Sequence, residues 1–578
     1  MLRRTIILGL FVVLMSGSAW AQQSKPVIYQ MLVRLFGNTN LTDRYYGSIQ
    51  ENGCGKFDEI TDRALDSLKA LGVTAIWYTG VLEHATMTDY SRYRIEADDP
   101  DVVKGRAGSP YAVKDYYDVD PDLAVNVNNR MGEFRALVRR THAHGLWVYM
   151  DFVPNHLARG YHSDAAPDSV ISFGQADDTT LAFSPKNDFY YIPGSSFEVP
   201  EGVDAGGPDF HSPLKDGRFH EAPAKATGNN VFRPNPSIND WYETVKLNYG
   251  VDVQGGGKSY FNPIPPVWVK MRDILDFWAA QGVDGFRCDV AEMVPAAFWH
   301  WVIPKVKAVH PGLVFIGEAY DPRKYSQYLS YGHFDYLYNK VGLYDVLAAL
   351  IKDDSDASTR EIDSVMTAQS TFADHMLDFL ENHDEERVAS HLFAGDAIYA
   401  RPAMVVAATI SRGPVLIYFG QELGERAEGK EGFGGDDGKT TIFDYWGVPT
   451  IARWNDGGRF DQIELNDKER RIRSFYRNLL GICREHAAIA AGRYMMVSSR
   501  GLTRRQFAYL RFGSGETILV VVNFDRKDVL QTRIALPRGI AMGKGVAKDL
   551  LSGKSFAVLH NAVKITVGPS NAVVLKLQ

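Results

Sequence analysis

The sequence predicts an α/β protein: a parallel (β/α)8 TIM barrel with an inserted domain after strand three and a C-terminal antiparallel β domain. Three observations predict this fold class. Short apolar runs alternate with helical patterns along most of the chain, one long stretch interrupts that alternation, and the last part holds strand patterns without helices. A chain of 578 residues is also too long for a single ordinary core.

The first residues have the pattern of a secretory signal peptide, assigned to residues 1–21. Arg3 and Arg4 precede an apolar run that is too short to span a bilayer, and Ala19-Trp20-Ala21 fits a small-x-small cleavage site. We therefore expect export, to the periplasm or the medium, with cleavage near Ala21. No cysteine follows the apolar run to accept a lipid, so no membrane anchor is expected.

Three strand segments precede the interruption, at 27–36, 74–81 and 146–156. Between them, residues 57–72 and 131–145 place apolar side chains at helical spacing, which predicts two amphipathic helices. This order of strand and helix is typical of βαβ units, in which neighbouring strands run parallel.

The interruption covers residues 157–262, which are rich in Gly, Pro, Asn and Asp and show little periodicity. A structureless stretch of that length is improbable inside a compact domain, so we interpret it as an inserted domain. The barrel then comprises residues 22–156 and 263–490, and residues 491–578 form the C-terminal β domain.

Five strand candidates after the insertion bring the total to eight, the number that closes a parallel barrel. A helical pattern at 267–282 precedes them. The five segments are VDGFRCDV, LVFIGEA, FDYLYN, HMLDFLEN and PVLIYFG. The tail then contains five short strand patterns without helices: QFAYLRF, ETILVVVNF, VLQTRIAL, SFAVL and NAVVLKL.

The charge pattern excludes some partners. Charged residues make up 23% of the chain and the formal net charge is −7, with no basic block. Nucleic acid and anionic membrane surfaces are therefore not expected as partners.

Polar side chains gather where the predicted strands end, which is where barrels of this type place their chemistry. Four different strands contribute them, and glycoside hydrolysis is a reaction that needs several carboxylates at one point. The residues are Asp151, Asn155 and His156 after strand three, Arg287 and Asp289 at strand four, Glu318 after strand five, and Asn382, His383 and Asp384 after strand seven.

Arg287 and Asp289 lie two positions apart on strand four and so share one face. They could be a purely structural ion pair, or the cation could keep Asp289 ionised and aim it at a substrate. Glu318 would have to be protonated at rest, which negative neighbours favour. His156 and His383 could donate to sugar hydroxyls, although each alone could be a packing or surface residue.

The segments DFVPNH (151–156), GFRCD (285–289), FIGE (315–318) and ENHD (381–384) resemble the four signature segments of the α-amylase superfamily, glycoside hydrolase family thirteen, in the same order. The resemblance implies a nucleophile at Asp289, an acid/base at Glu318 and a transition-state stabiliser at Asp384. It also implies substrate contacts at Arg287, His156 and His383.

Two further residues enter through the same resemblance. Tyr111, in SPYAVKDYYDVDP, resembles an aromatic residue that stacks on the sugar at the cleavage point, although it could also be a core tyrosine. Asn155 resembles a calcium ligand of many members, so calcium is the cofactor that the resemblance implies. Calcium takes six to eight oxygen ligands, and the sequence supplies only this one by name.

The resulting functional hypothesis is retaining hydrolysis of α-1,4-glucosidic bonds in starch or malto-oligosaccharides. Glu292 and Met293 stand where many polymer-cutting members have a Lys-His pair. This departure favours an alternative: a neopullulanase- or cyclomaltodextrinase-like enzyme, or a transglycosylating one, acting on short maltodextrins. An inactive carbohydrate-binding scaffold is the remaining alternative, and the presence of all three carboxylates argues against it.

Overall fold

A computed structural model describes residues 25–537 and 545–577; the predicted signal peptide lies outside the described residues. Eight parallel strands form the central sheet in chain order, and a bridge between Asp378 and Val415 joins the last two strands so that the sheet closes. The predicted parallel barrel is confirmed. Its strands are β1 (Val27–Leu32), β2 (Ala75–Thr79), β3 (Trp147–Phe152), β4 (Gly285–Cys288), β5 (Val314–Gly317), β6 (Tyr336–Tyr338), β7 (Met376–Leu377) and β8 (Val415–Tyr418).

Helices surround the barrel and pack their apolar faces against it. In the first of them, Thr61 caps the N-terminus by accepting a hydrogen bond from the Ala64 N–H, and Gly72 ends the helix with a φ of 112°. The main helices are α1 (Asp62–Leu71), α2 (Arg130–Ala143), α3 (Pro266–Ala280), α4 (Ala296–Val309), α5 (Asp345–Lys352), α6 (Arg360–Ala368), α7 (Arg401–Thr409), α8 (Pro449–Asn455) and α9 (Asp467–Glu485).

The insertion between β3 and α3 consists of loops held by short antiparallel strand pairs. Tyr191–Ile192 pairs with Ala224–Lys225, and Val251–Asp252 pairs with Lys258–Ser259. Next to the barrel, His156–Ala158 pairs with Thr244–Lys246. This last ladder joins the beginning of the insertion to its end.

The C-terminal part is an eight-stranded sheet, three strands more than the sequence patterns indicate. One face of it packs on the barrel, since Tyr509 and Val520 belong to the same buried apolar cluster as the barrel helices. None of the described helices is long and apolar enough to cross a membrane. The strands are β9 (Arg493–Met496), β10 (Gln506–Gly513), β11 (Glu516–Asn523), β12 (Leu530–Ala535), β13 (Val546–Asp549), β14 (Ser555–Leu559), β15 (Ala562–Val567) and β16 (Asn571–Lys576).

Candidate active site

The strand ladder continues beyond β3, β4 and β5 into the residues that carry the charges. The Asp289 N–H donates to the Phe152 carbonyl at 2.9 Å, and the Glu318 N–H donates to the Cys288 carbonyl at 3.1 Å. Backbone hydrogen bonds between adjacent strands therefore hold Asp289 and Glu318 side by side at the carboxyl end of the barrel.

Arg287 is the centre of the site. Its side chain is buried, with Nη1 donating to Asp289 Oδ1 at 2.6 Å and Nε donating to the Tyr338 hydroxyl at 3.1 Å. Nη2 lies 2.8 Å from Glu318 Oε2 as an ion pair without hydrogen-bond alignment. Nη1 also lies 3.6 Å from Asp151 Oδ1. The Arg287 guanidinium thus contacts three carboxylates, which lie at the carboxyl ends of β3, β4 and β5.

Neighbouring charges of both signs act on the pKa of Asp289. Burial raises its pKa well above the usual value, the Arg287 contact opposes that rise, and the neighbouring Glu318 adds to it. The aligned hydrogen bond from Arg287 goes to Asp289 and not to Glu318, so Arg287 orients the Asp289 carboxyl group.

Glu318 is in contact with hydrogen-bond donors. The Val290 N–H donates to Oε2 at 2.6 Å, and the Tyr320 hydroxyl donates to Oε1 at 2.6 Å. Val290 has a φ of 35°, a left-handed conformation that β-branched residues rarely adopt, and this turn directs its N–H at Glu318. Since a hydroxyl can also accept, Tyr320 is able to partner Glu318 in either protonation state.

His383 and Tyr111 form one wall of the site. Their rings stack with centroids 5.1 Å apart, and the Tyr111 hydroxyl lies 2.6 Å from His383 Nε2. The Gln30 amide from β1 lies 2.8 Å from His383 Nδ1, and burial lowers the pKa of His383 well below its ordinary value. His383 is therefore a fixed, neutral group.

Asp384 is more open than the other two carboxylates, with 37% of its side chain exposed. One of its oxygens lies 3.2 Å from His383 Nε2. On the opposite side, His156 Nε2 lies 4.0 Å from Asp289 Oδ2, and burial lowers the pKa of His156 to about 3. The site thus combines two buried carboxyl groups, Asp289 and Glu318, with an accessible one.

Comparison with known proteins agrees with this geometry. Residues 34–443 match the family model of the α-amylase catalytic domain. The chain belongs to the α-amylase family. It is a glycoside hydrolase, as the named relatives of the same family are.

Relatives of this α-amylase family member are similar along most of its length. Alpha-amylase 2 of Dictyoglomus thermophilum is 23% identical over 96% of this chain and 76% of its own. A cyclomaltodextrinase of Bacillus sp. is 23% identical over 88% of this chain and 74% of its own. The crystal structure of the maltogenic α-amylase AmyB of Thermotoga neapolitana has a TM-score of 0.60 at 21% identity, covering 96% of this chain and 99% of that one.

Asn155 lies where the calcium prediction requires, between the barrel and the insertion, but its oxygen is already engaged. Lys246 Nζ donates to Asn155 Oδ1 at 2.7 Å. Burial lowers the pKa of Lys246 to about 7, and the nitrogen donates in either protonation state. Within residues 25–537 and 545–577, no three His, Cys, Asp or Glu side chains form a group that could hold a metal ion. The residues present therefore do not fit calcium at Asn155.

Sequence reasoning missed several residues of the site. Tyr338 on β6 and Trp77 on β2 face Arg287 and Asp151, and Trp77 Nε1 donates to Asp151 Oδ2 at 3.1 Å. Gln30 and Tyr320 contact His383 and Glu318 as described above. A polar residue inside an apolar strand, such as Gln30, is a signal that could have indicated one of them. Tyr320 has no such signal, because its contact depends on how a loop turns.

Proposed function

We propose that the chain hydrolyses α-1,4-glucosidic bonds of starch or malto-oligosaccharides by double displacement, with retention of configuration. The observation that carries this proposal is the unequal contact of Arg287 with two adjacent carboxyl groups. The aligned partner, Asp289, is the nucleophile, and Glu318 is the acid that gives its proton to the leaving oxygen.

In the first step, Asp289 attacks the anomeric carbon while Glu318 gives its proton to the leaving glycosidic oxygen. A covalent glucosyl ester forms on Asp289, and the rest of the glucan departs as an alcohol. In the second step, Glu318 takes a proton from water, which attacks the anomeric carbon and frees Asp289. The open carboxylate of Asp384 binds sugar hydroxyls and stabilises the positive charge of the transition state.

Tyr111, His383 and His156 line the position of the sugar that is attacked. The two histidines are neutral, so neither adds a cation to the site. His156 can donate a ring N–H to a sugar hydroxyl, and His383 contacts the Tyr111 hydroxyl and Asp384 through Nε2. The ring of Tyr111 offers an apolar face to the sugar, and its hydroxyl is held through His383.

Variants of the two carboxyl groups test this division of roles. Asp289→Asn should lose activity on every substrate by several powers of ten, because the nucleophile is gone. Glu318→Gln should lose as much on a glucan but should largely keep the first step on an α-glucosyl fluoride, which leaves without protonation. An equal loss on fluoride and glucan, measured for the first step, would take the acid role away from Glu318.

The configuration of the first product tests the double displacement independently. Two inversions restore the α-configuration, so proton NMR of fresh product from the unmutated enzyme should show the α-anomer. A β-anomer would refute the covalent route and leave the carboxylates as an inverting pair.

A second candidate function is action on short or cyclic maltodextrins, or transfer to a sugar acceptor. Glu292 favours it, because its carboxylate accepts the Asp321 N–H at 3.0 Å and is thus tied to the loop that carries Tyr320. Because Glu292 and Met293 stand at these positions, the site lacks the Lys-His pair that could contact the departing part of a polymer. Early products from amylose, pullulan and cyclodextrin, separated by chromatography, distinguish the two: preferred attack on cyclodextrin or pullulan supports the second candidate.

A further inference from the structure

We propose that Lys246 takes the place of a structural cation at the joint between the barrel and the insertion, and that through Asn155 it fixes the proton of His156 on Nε2. Lys246 is thus a positioning residue, and the joint is independent of calcium. The part that concerns His156 as a sugar donor rests on the proposed function; the part that concerns the joint does not.

The position of Lys246 comes from the ladder that closes the insertion. Lys246 is the register partner of His156, directly opposite it on the neighbouring strand. Its backbone N–H donates to the Ala226 carbonyl at 2.9 Å, and only 5% of the residue is exposed. Its side chain crosses to the segment after β3 and ends on Asn155 Oδ1. One lysine therefore links three segments, two of them in the insertion.

The contacts with Gly228 and Lys246 together fix the orientation of the Asn155 amide. The Gly228 carbonyl can only accept, so the amide nitrogen must face it and the amide oxygen faces Lys246 Nζ. The amide nitrogen then faces the other way, where it donates to the Gly228 carbonyl at 2.9 Å and lies 3.0 Å from His156 Nδ1. Asn155 is thereby held on both sides.

The orientation of Asn155 in turn fixes His156. Because the amide nitrogen is a donor, His156 Nδ1 must be the acceptor of that contact and carries no proton. The ring proton is therefore on Nε2, the nitrogen that lies toward Asp289. The chain from Lys246 through Asn155 thus presents an N–H donor to the substrate side of the site.

A calcium ion at Asn155 would require six to eight oxygen ligands at about 2.3–2.6 Å. Asn155 Oδ1 instead has the Lys246 nitrogen at 2.7 Å, which occupies the space that such an ion needs. A divalent ion would also have to displace a basic side chain that is buried there. Lys246 and calcium are therefore alternatives at this joint.

The first test uses the unmutated protein. We expect the thermal midpoint to be the same in EDTA and in millimolar CaCl2, and elemental analysis to find no stoichiometric calcium, since a ligand that binds only the folded state would raise the midpoint. A midpoint that falls in EDTA, together with one calcium per chain, would overturn the proposal. This measurement does not depend on activity, so a failure of the proposed function would not be mistaken for it.

The second test reads the tautomer by long-range proton–nitrogen NMR on protein labelled with ¹⁵N-histidine, with the His156 signal assigned from His156→Gln. The unmutated protein should show His156 protonated on Nε2. Protonation on Nδ1 would overturn the proposal whether or not the Lys246 variant folds.

The third test removes the Lys246 nitrogen while keeping the length of the side chain. Lys246→Met should lower the midpoint by several degrees and kcat by about tenfold with KM little changed, and should disturb the His156 tautomer. Lys258→Met, an exposed lysine of the same insertion, is the matched control and should behave as the unmutated protein. If Lys246→Met and Lys258→Met give the same midpoint and the same His156 spectrum, Lys246 has no such role.

Discussion

Asp151, Asp289 and Glu318 all approach one guanidinium, so their charges depend on one another. Arg287 can neutralise only one negative charge in this buried cluster, and burial raises the pKa of Asp151 to about 6. Leaving two or three buried carboxylates ionised around one arginine would be costly. The raised pKa values of Asp151 and Asp289 therefore bring the titration of these two carboxyl groups closer to neutral pH.

A substitution at Tyr320 tests the role of Glu318 while leaving every carboxylate of the site in place. Tyr320→Phe removes the hydroxyl that donates to Glu318 at 2.6 Å. Glu318 becomes a carboxylate as it gives its proton to the leaving oxygen, and losing a hydrogen bond to that charged group costs about 1.5–3 kcal/mol. The value of kcat should therefore fall by about tenfold or more, with KM little changed. Steady-state kinetics checks this. Tyr331→Phe, at an exposed tyrosine, is the control, and equal kcat values for the two variants would exclude a role for the Tyr320 hydroxyl.

At the scale of the elements, the close approach of β4 to its neighbours depends on Gly285. A Cβ at this position would lie 2.7 Å from the Val314 carbonyl and 2.8 Å from the Tyr149 ring. A backbone oxygen cannot move aside as a flexible side chain can. Gly285→Ala should therefore shift β4, which carries Arg287, and destabilise the protein by about 1–3 kcal/mol.

A denaturation curve measures this effect, and Gly481→Ala is the matched control. Gly481 lies in α9, where an added Cβ would have no neighbouring atom within 4 Å. Alanine there should leave stability unchanged or raise it, because glycine is a poor helix former. An equal midpoint for the two variants would show that the packing around β4 tolerates a methyl group.

The same elements show how far the sequence predicts the fold. Strands with continuous apolar runs, such as β2 and β8, are recognised because both faces are buried. Strands β9, β13 and β15 are missed. Strands β9 and β13 have only four residues each and are partly exposed, and β15 follows β14 after a two-residue connection. The segment 27–36 is strand only to Leu32, since residues 33–36 turn into a short helix.

The sequence predicts the site residues at strand ends but not those that loops bring into the site. Residues at strand ends, such as Asp289 and Glu318, follow from the strand pattern and the resemblance of their motifs. Tyr320 and Lys246 do not, because their contacts arise only when loops and a distant strand close around the barrel. At Asn155 the motif indicates a candidate ligand position, whereas the contact with Lys246, 91 residues further along the chain, follows only from the folded structure.

At the scale of the whole molecule, the barrel and the C-terminal sheet share one apolar core. Tyr509 on β10 packs with α7, and its hydroxyl lies 2.5 Å from Thr409 Oγ1. Separating the barrel from the C-terminal sheet would expose apolar surface of both, so we expect the two parts to unfold together. We expect one calorimetric transition for the described parts of the chain rather than separate transitions for barrel and sheet.

Arg511 gives this expectation a sharp test. Its buried guanidinium donates to the carbonyls of Ile410, Ile489 and Gly492 at 2.8–3.0 Å, across the junction between α7, the end of the barrel and the sheet. Arg511→Met leaves these carbonyls without that donor, which should cost about 3 kcal/mol or more and lower the single transition. Arg533→Met, at an exposed arginine of the same sheet, should leave the transition in place. If Arg511→Met instead splits the calorimetric trace, so that the sheet melts first and the barrel keeps its original midpoint, the shared core does not couple them.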